Sequence, residues 1–88
     1  MPDDTLDTQF KKAAVDVQSL PKSPGNDVKL RLYGLFKQAG DGDADGRRPG
    51  FTNPVGRSKY DAWAKCAGMS SEAAKKAYIA EVNRLLGA

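Results

Sequence analysis

The sequence predicts an all-α fold, a bundle of four helices, on three observations. Apolar residues recur at intervals of three and four in four separate stretches, proline and glycine fall between those stretches, and no run alternates apolar with polar residues as a strand would. With 88 residues the chain can bury one core of useful size, so a single domain over 1–88 is expected. Such a chain spends most of its apolar side chains on that core. Ligand sites should therefore be surface grooves rather than enclosed cavities.

The first helix is predicted over about 6–20, where Phe10, Ala13, Ala14, Val17 and Leu20 recur at helical spacing and Asp4 or Thr5 can cap the start. Pro21 and Pro24 disfavour helix in the residue before each, so a turn follows. A second helix should begin at about 24–27 and run to Ala39, with Gly40 as its stop. Residues 40–54 hold four glycines, two prolines and three aspartates without periodicity, and read as a long loop. Asn53-Pro54 is a cap and first-turn pair for a third helix, expected to reach Ala67 and to end at Gly68. Ser70 caps the fourth, Glu72 favours its positive end, and Ala74, Tyr78, Val82 and Leu85, flanked by Ile79 and Leu86, form its buried stripe.

The functional weight falls on the second helix, in Tyr33-Gly34-Leu35-Phe36-Lys37-Gln38-Ala39. At about 100° per residue, Lys37 lies about 40° round the helix from Tyr33, with Leu30 and Phe36 about 60° to either side. One face thus carries a phenol, a ring and an ammonium. The stripe of Val28, Leu32, Leu35 and Ala39 points away from it and can anchor the helix.

Charge and composition exclude much else. The net charge of +3 is unevenly placed, with Asp3, Asp4, Asp7 and Asp16 in the first segment and Lys29, Arg31, Lys37, Arg47, Arg48, Arg57, Lys59 and Lys65 loading the middle, where an anion would be drawn. A lone Cys66 and no histidine leave no disulfide framework, no zinc ligand set of the usual kind and no base to activate a nucleophile, so catalysis has no candidate constellation. Cys66 reads as a small core residue. The run Asp41-Gly42-Asp43-Ala44-Asp45-Gly46 imitates the first half of a calcium-binding EF-hand loop, but Thr52 stands where the closing glutamate belongs and Arg47-Arg48 follow at once. An acidic, glycine-rich turn is the expectation there. The basic residues are not gathered on one helix as groove readout of nucleic acid requires, and no nucleic-acid partner is expected. The acidic start Met1-Pro2-Asp3-Asp4, the absence of an apolar leader and the single cysteine lead us to expect a whole mature chain in the cytoplasm.

Several blocks then fall in register with one family. Tyr33 to Ala39, Gly42-Asp43, Arg48-Pro49-Gly50, Lys59-Tyr60-Asp61-Ala62-Trp63, Gly68-Met69-Ser70 and Ala77-Tyr78-Ile79 with Val82, preceded by Phe10, Lys12, Ala13, Ala14, Val17 and Leu20, resemble the acyl-CoA-binding protein family in order and spacing over nearly the whole chain. The resemblance implies a four-helix bundle of that type and a non-catalytic intracellular carrier of medium- to long-chain acyl-CoA esters. It implies that Tyr33 and Lys37, with Lys59, bind the 3′-phosphate of the CoA ribose, that Phe36 stacks on adenine, and that Tyr78 contacts the ligand. Ala13 or Ala14 should line the floor of the site, and Leu30 should touch the pantetheine or acyl part.

Departures from the family pattern are local. Phe36 stands where a tyrosine is usual, which keeps the ring and loses a hydroxyl. Tyr60 replaces a tryptophan and Cys66 a leucine, Gln18 holds a ligand-binding position where many members place lysine, and Lys29 occupies a site often apolar near the acyl chain. The phosphate clamp is untouched by these changes. The resemblance implies no cofactor and no metal; the expected partners are acyl-CoA esters, the enzymes that use them and transient membrane contact, with a monomeric protein. The contrasting expectation is a small basic helical module that docks a protein or nucleic acid through its central positive surface.

Overall fold

The computed structural model describes residues 5–87. Within them four helices follow one another: α1 (Leu6–Asp16, extended by a 3-10 turn over Val17–Ser19), α2 (Asn26–Asp41), α3 (Pro54–Ala64) and α4 (Ser71–Gly87). Among the described residues no strand forms. The caps are those the sequence offers. Thr5 Oγ1 accepts from Thr8 N–H at 3.3 Å, Asn53 Oδ1 from Gly56 N–H at 3.0 Å, and Ser70 Oγ from Ala73 N–H at 3.0 Å, each satisfying a donor the helix cannot. Asp4, the other cap considered for α1, lies outside the described residues.

Three helix ends differ from expectation. The first helix, expected to reach residue 20, stops as an α-helix at Asp16 and tightens into the 3-10 turn that ends at Ser19. α2 does not stop at Ala39 but continues through Gly40 and Asp41; Gly42, at φ 78°, is the residue that takes the left-handed turn, and its N–H closes on Gln38 C=O at 3.1 Å. α3 ends at Ala64 rather than Ala67. The next three residues are drawn into tighter turns, Cys66 N–H to Trp63 C=O at 2.9 Å and Ala67 N–H to Ala64 C=O at 3.1 Å, before Gly68 reverses the chain at φ 90°.

Three of the helices contribute buried residues, while α3 keeps none fully buried. Ala13 of α1, Leu32 and Leu35 of α2, and Tyr78 and Val82 of α4 form the core, with Phe10, Val17, Val28, Cys66 and Met69 packed around them. The order of packing matters more than the list. α4 lies against both α1 and α2, and α2 lies against both α4 and α3, while among the described residues α1 makes no close backbone approach to α2, nor α3 to α4. Helices that share a neighbour without meeting leave a furrow between them. The bundle therefore has one groove between α1 and α2, floored by α4, and another between α3 and α4, floored by α2.

The loop after α2 is tied down by specific bonds. Buried Gln38, 1% exposed, donates from Nε2 to Met69 C=O at 2.9 Å and to Asp43 Oδ1 at 2.8 Å, and the same carboxylate oxygen accepts from Gly68 N–H at 2.9 Å. Trp63 Nε1–H reaches Gly42 C=O at 2.6 Å, Ser71 Oγ–H reaches Ala39 C=O at 2.7 Å, and Arg48 grips Asp61 through two parallel bonds of 2.8 and 2.7 Å. The run that imitates a calcium loop thus has a structural use for its central carboxylate, which joins α2 to the turn after α3.

Candidate functional site

The groove between α1 and α2 encloses about 410 Å3. Tyr33 and Phe36 line it from α2, Tyr78 rises from α4 as its floor, and Gln18 closes it from the 3-10 turn. Three rings bridge the gap between the helices. Phe10 stacks on Phe36 with centroids 5.5 Å apart, and Tyr78 meets Phe10 edge-on at 5.1 Å and Phe36 at 6.1 Å, the offset geometries that aromatic quadrupoles favour. Phe36 nevertheless remains 46% exposed, so one face of its ring is open to a ligand. Tyr78 is 5% exposed, and burial pushes its phenol above the usual range.

Cations gather beside the rings. Lys59, on α3, places Nζ 5.4 Å from the centre of the Tyr33 ring. One turn beyond Tyr33, Lys37 lies with Nζ 4.8 Å from the Trp63 ring and bonds Asp41, a hydrogen bond that holds its ammonium above the ordinary lysine range. Gly34 makes this meeting of α2 and α3 possible. A Cβ there would stand 2.4 Å from Ala62 C=O, so only glycine lets the two backbones come this close.

The structure thus brings together Tyr33, Phe36, Tyr78 and Gln18 in one groove, with Lys59 on the Tyr33 ring and Lys37 one turn along. Ala13 is enclosed in the core beneath them and Ala14 is half-buried beside it. Leu30 is not brought to this groove. It lines the second one, of about 900 Å3, with Leu35, Ala62, Cys66 and Met69. Consecutive residues face the two grooves, since Ser58 of α3 lines the second while Lys59 reaches Tyr33. Cys66 is half-buried against the core, where desolvation raises its thiol pKa.

Sequence reasoning missed three participants. Phe10 is read from the sequence only as a position in the first helix's apolar spacing and in the family resemblance, yet its ring packs against both Phe36 and Tyr78. Gly34 carried a signal, being a glycine inside a helical pattern, where it costs stability unless a close contact needs it. Asp41 stands four residues after Lys37, an ion-pair spacing that is visible once α2 is known to reach it.

A helical bundle that keeps a cation-flanked aromatic groove open between two of its helices is built to bind a ligand. The chain belongs to the acyl-CoA-binding protein family, whose profile matches residues 7–82. It is 49% identical over 83 residues to the acyl-CoA-binding protein homolog of Manduca sexta, covering 93% of this chain and 92% of that one, and 49% identical over 78 residues to the homolog of Drosophila melanogaster, covering 89% and 91%. Its fold superposes on the crystal structure of Oryza sativa acyl-CoA-binding protein 2 with a TM-score of 0.90 and 41% identity, over 94% of this chain and 92% of the rice chain.

Proposed function

We propose that the chain is a non-catalytic carrier that binds, buffers and transports medium- to long-chain acyl-CoA esters. The observation that carries this reading is Lys59 over the Tyr33 ring, with Lys37 one turn along α2 and the open ring of Phe36 on the same helix, in a fold whose relatives are named for acyl-CoA binding. The Tyr33 hydroxyl and the two ammonium groups clamp the 3′-phosphate of the ribose, each charge-assisted bond contributing about 1.5–3 kcal/mol. Phe36 offers its exposed face to adenine, worth roughly 1–3 kcal/mol for an aromatic platform. Tyr78 supports that ring from below, over the small side chains of Ala13 and Ala14.

The acyl part takes the other direction. Lys29 and Leu30, neighbours on α2, face different grooves, so a ligand anchored at Tyr33 can cross α2 near Leu30 and lay its tail on the apolar floor of the second groove. Burying half of a sixteen-carbon chain would contribute on the order of 6 kcal/mol before ordering costs. The tail then dominates discrimination, while the nucleotide fixes register. No helix among the described residues is long and apolar enough to cross a membrane. A cytoplasmic carrier that meets acyl-CoA-using enzymes and touches membranes in passing completes the reading.

Calorimetry with palmitoyl-CoA, butyryl-CoA, free CoA and palmitate tests it. One-site binding of palmitoyl-CoA is expected, at least about a hundredfold tighter than any of the other three. Equal affinities across the series, or no heat with palmitoyl-CoA, would sink the carrier reading and favour a docking module.

A further inference from the structure

The groove between α1 and α2 has a polarity that the second groove lacks. Among the described residues lining it, Lys29 is the one charged side chain, and the other polar ones, Gln18, Ser23, Tyr33 and Tyr78, all carry a hydrogen-bond donor. No carboxylate faces inward. The second groove, by contrast, balances Asp27, Asp61 and Glu81 against Arg31, Lys65 and Arg84, several of which are already paired with one another. A pocket furnished with donors and one cation, and with no acid, is an anion site.

Its cation is also at liberty. Lys37 is held by Asp41, whereas among the described residues no carboxylate pairs with Lys29. Lys29 precedes Tyr33 by one helical turn, as Lys37 follows it by one, so the three form a row down α2 with Tyr33 at its centre. Asp27, the acid of the first turn of α2, lines the other groove and brings no carboxylate into this one.

We propose that Gln18, Ser23 and Lys29 form a second anion subsite, distinct from the one at Tyr33, Lys37 and Lys59, that holds the diphosphate of the CoA moiety. The proposal rests on the carrier reading, because it assigns part of the same ligand. A CoA ester carries two separate phosphate groups, one on the ribose 3′ oxygen and one in the diphosphate bridge, and Lys29 offers a cation one helical turn before Tyr33, on the side away from Lys37. Lys29 supplies from α2 the charge that Gln18, across the groove, does not bring. The diphosphate is then gripped from both walls, by the Lys29 ammonium on one side and by the Gln18 carboxamide and Ser23 hydroxyl on the other.

Removing the 3′-phosphate separates the two subsites. Palmitoyl-CoA and its 3′-dephospho analogue are titrated into the wild type, Lys29→Gln and Lys59→Gln, with thermal melts to verify that each exposed substitution leaves the fold intact. Lys29→Gln is expected to weaken both ligands by the same factor, about tenfold for one charge-assisted bond, whereas Lys59→Gln weakens only the 3′-phosphorylated one. Loss of the Lys29→Gln effect with the dephospho ligand would assign Lys29 to the 3′-phosphate and overturn the proposal. Unchanged or tighter binding of palmitoyl-CoA by Lys29→Gln would place the residue along the acyl chain and overturn it equally, with the carrier reading still standing. No binding by the wild type would remove both.

Discussion

Lys37 shows how a single side chain can be committed before its ligand arrives. Its ammonium is bonded to Asp41 and lies over Trp63, so a phosphate must compete with a carboxylate for it. Asp41→Asn removes the competitor while keeping the size of the side chain. Palmitoyl-CoA should then bind more tightly, by the twofold to fivefold that is on the order of an exposed ion pair's worth, and Lys37→Ala should weaken it by about tenfold. Calorimetry on the two variants checks both; weaker binding by Asp41→Asn would mean that the carboxylate aligns Lys37 instead of competing for it. At this scale the sequence was informative wherever helical spacing alone fixes a neighbour. Tyr33, Phe36 and Lys37 were legible for that reason. Asp41 was not, because α2 was expected to end two residues before it.

Between elements, the decisive contact is the crossing of α2 and α3 at Gly34. Its missing side chain lets Ala62 C=O come within 2.4 Å of where a Cβ would be, and that closeness puts Lys59 over Tyr33. Gly34→Ala must push the helices apart. A loss of stability of about 1–3 kcal/mol is expected, read as a lower urea midpoint, together with weaker palmitoyl-CoA binding although no ligand contact has been altered. An unchanged midpoint would show that the crossing yields without cost. The helix ends teach a related lesson. Two glycines, Gly40 and Gly42, could each have stopped α2, and local preference does not choose between them. Tertiary bonds do: Ser71 holds Ala39 C=O and Gln38 is fixed to Met69 and Asp43, so the helix is kept intact past Gly40.

Over the whole molecule, Asp43 ties three segments together, bonding Gln38 of α2 and Gly68 after α3 from within the loop. The Gly68 N–H, and after it Gln38, hold its carboxyl below the usual aspartate range. The folded protein therefore binds fewer protons than the unfolded chain as pH falls through the acid range; the contribution is complete above the unfolded value of 3.8 and is lost as pH drops through the lowered folded value. Asp43→Asn keeps an acceptor and removes the titration. Its urea midpoint should lie below that of the wild type at about pH 7, and the gap should narrow as pH falls through and below 3.8, whereas a constant gap would show that Asp43 acts only as an acceptor. Such pairings, like Arg48 with Asp61, join residues far apart in the chain, and no periodicity announces them. Four helices were legible because each is a local pattern; the order in which they pack was not. Yet that order shapes the encounter with a ligand. Because α1 and α2 are each seated on α4 and, among the described residues, make no close backbone approach to one another, the groove is kept apart by the protein's own packing. Among the described residues no lid has to lift before a molecule enters, so capture should be limited by collision and orientation, and the time a cargo stays aboard by how fast it leaves.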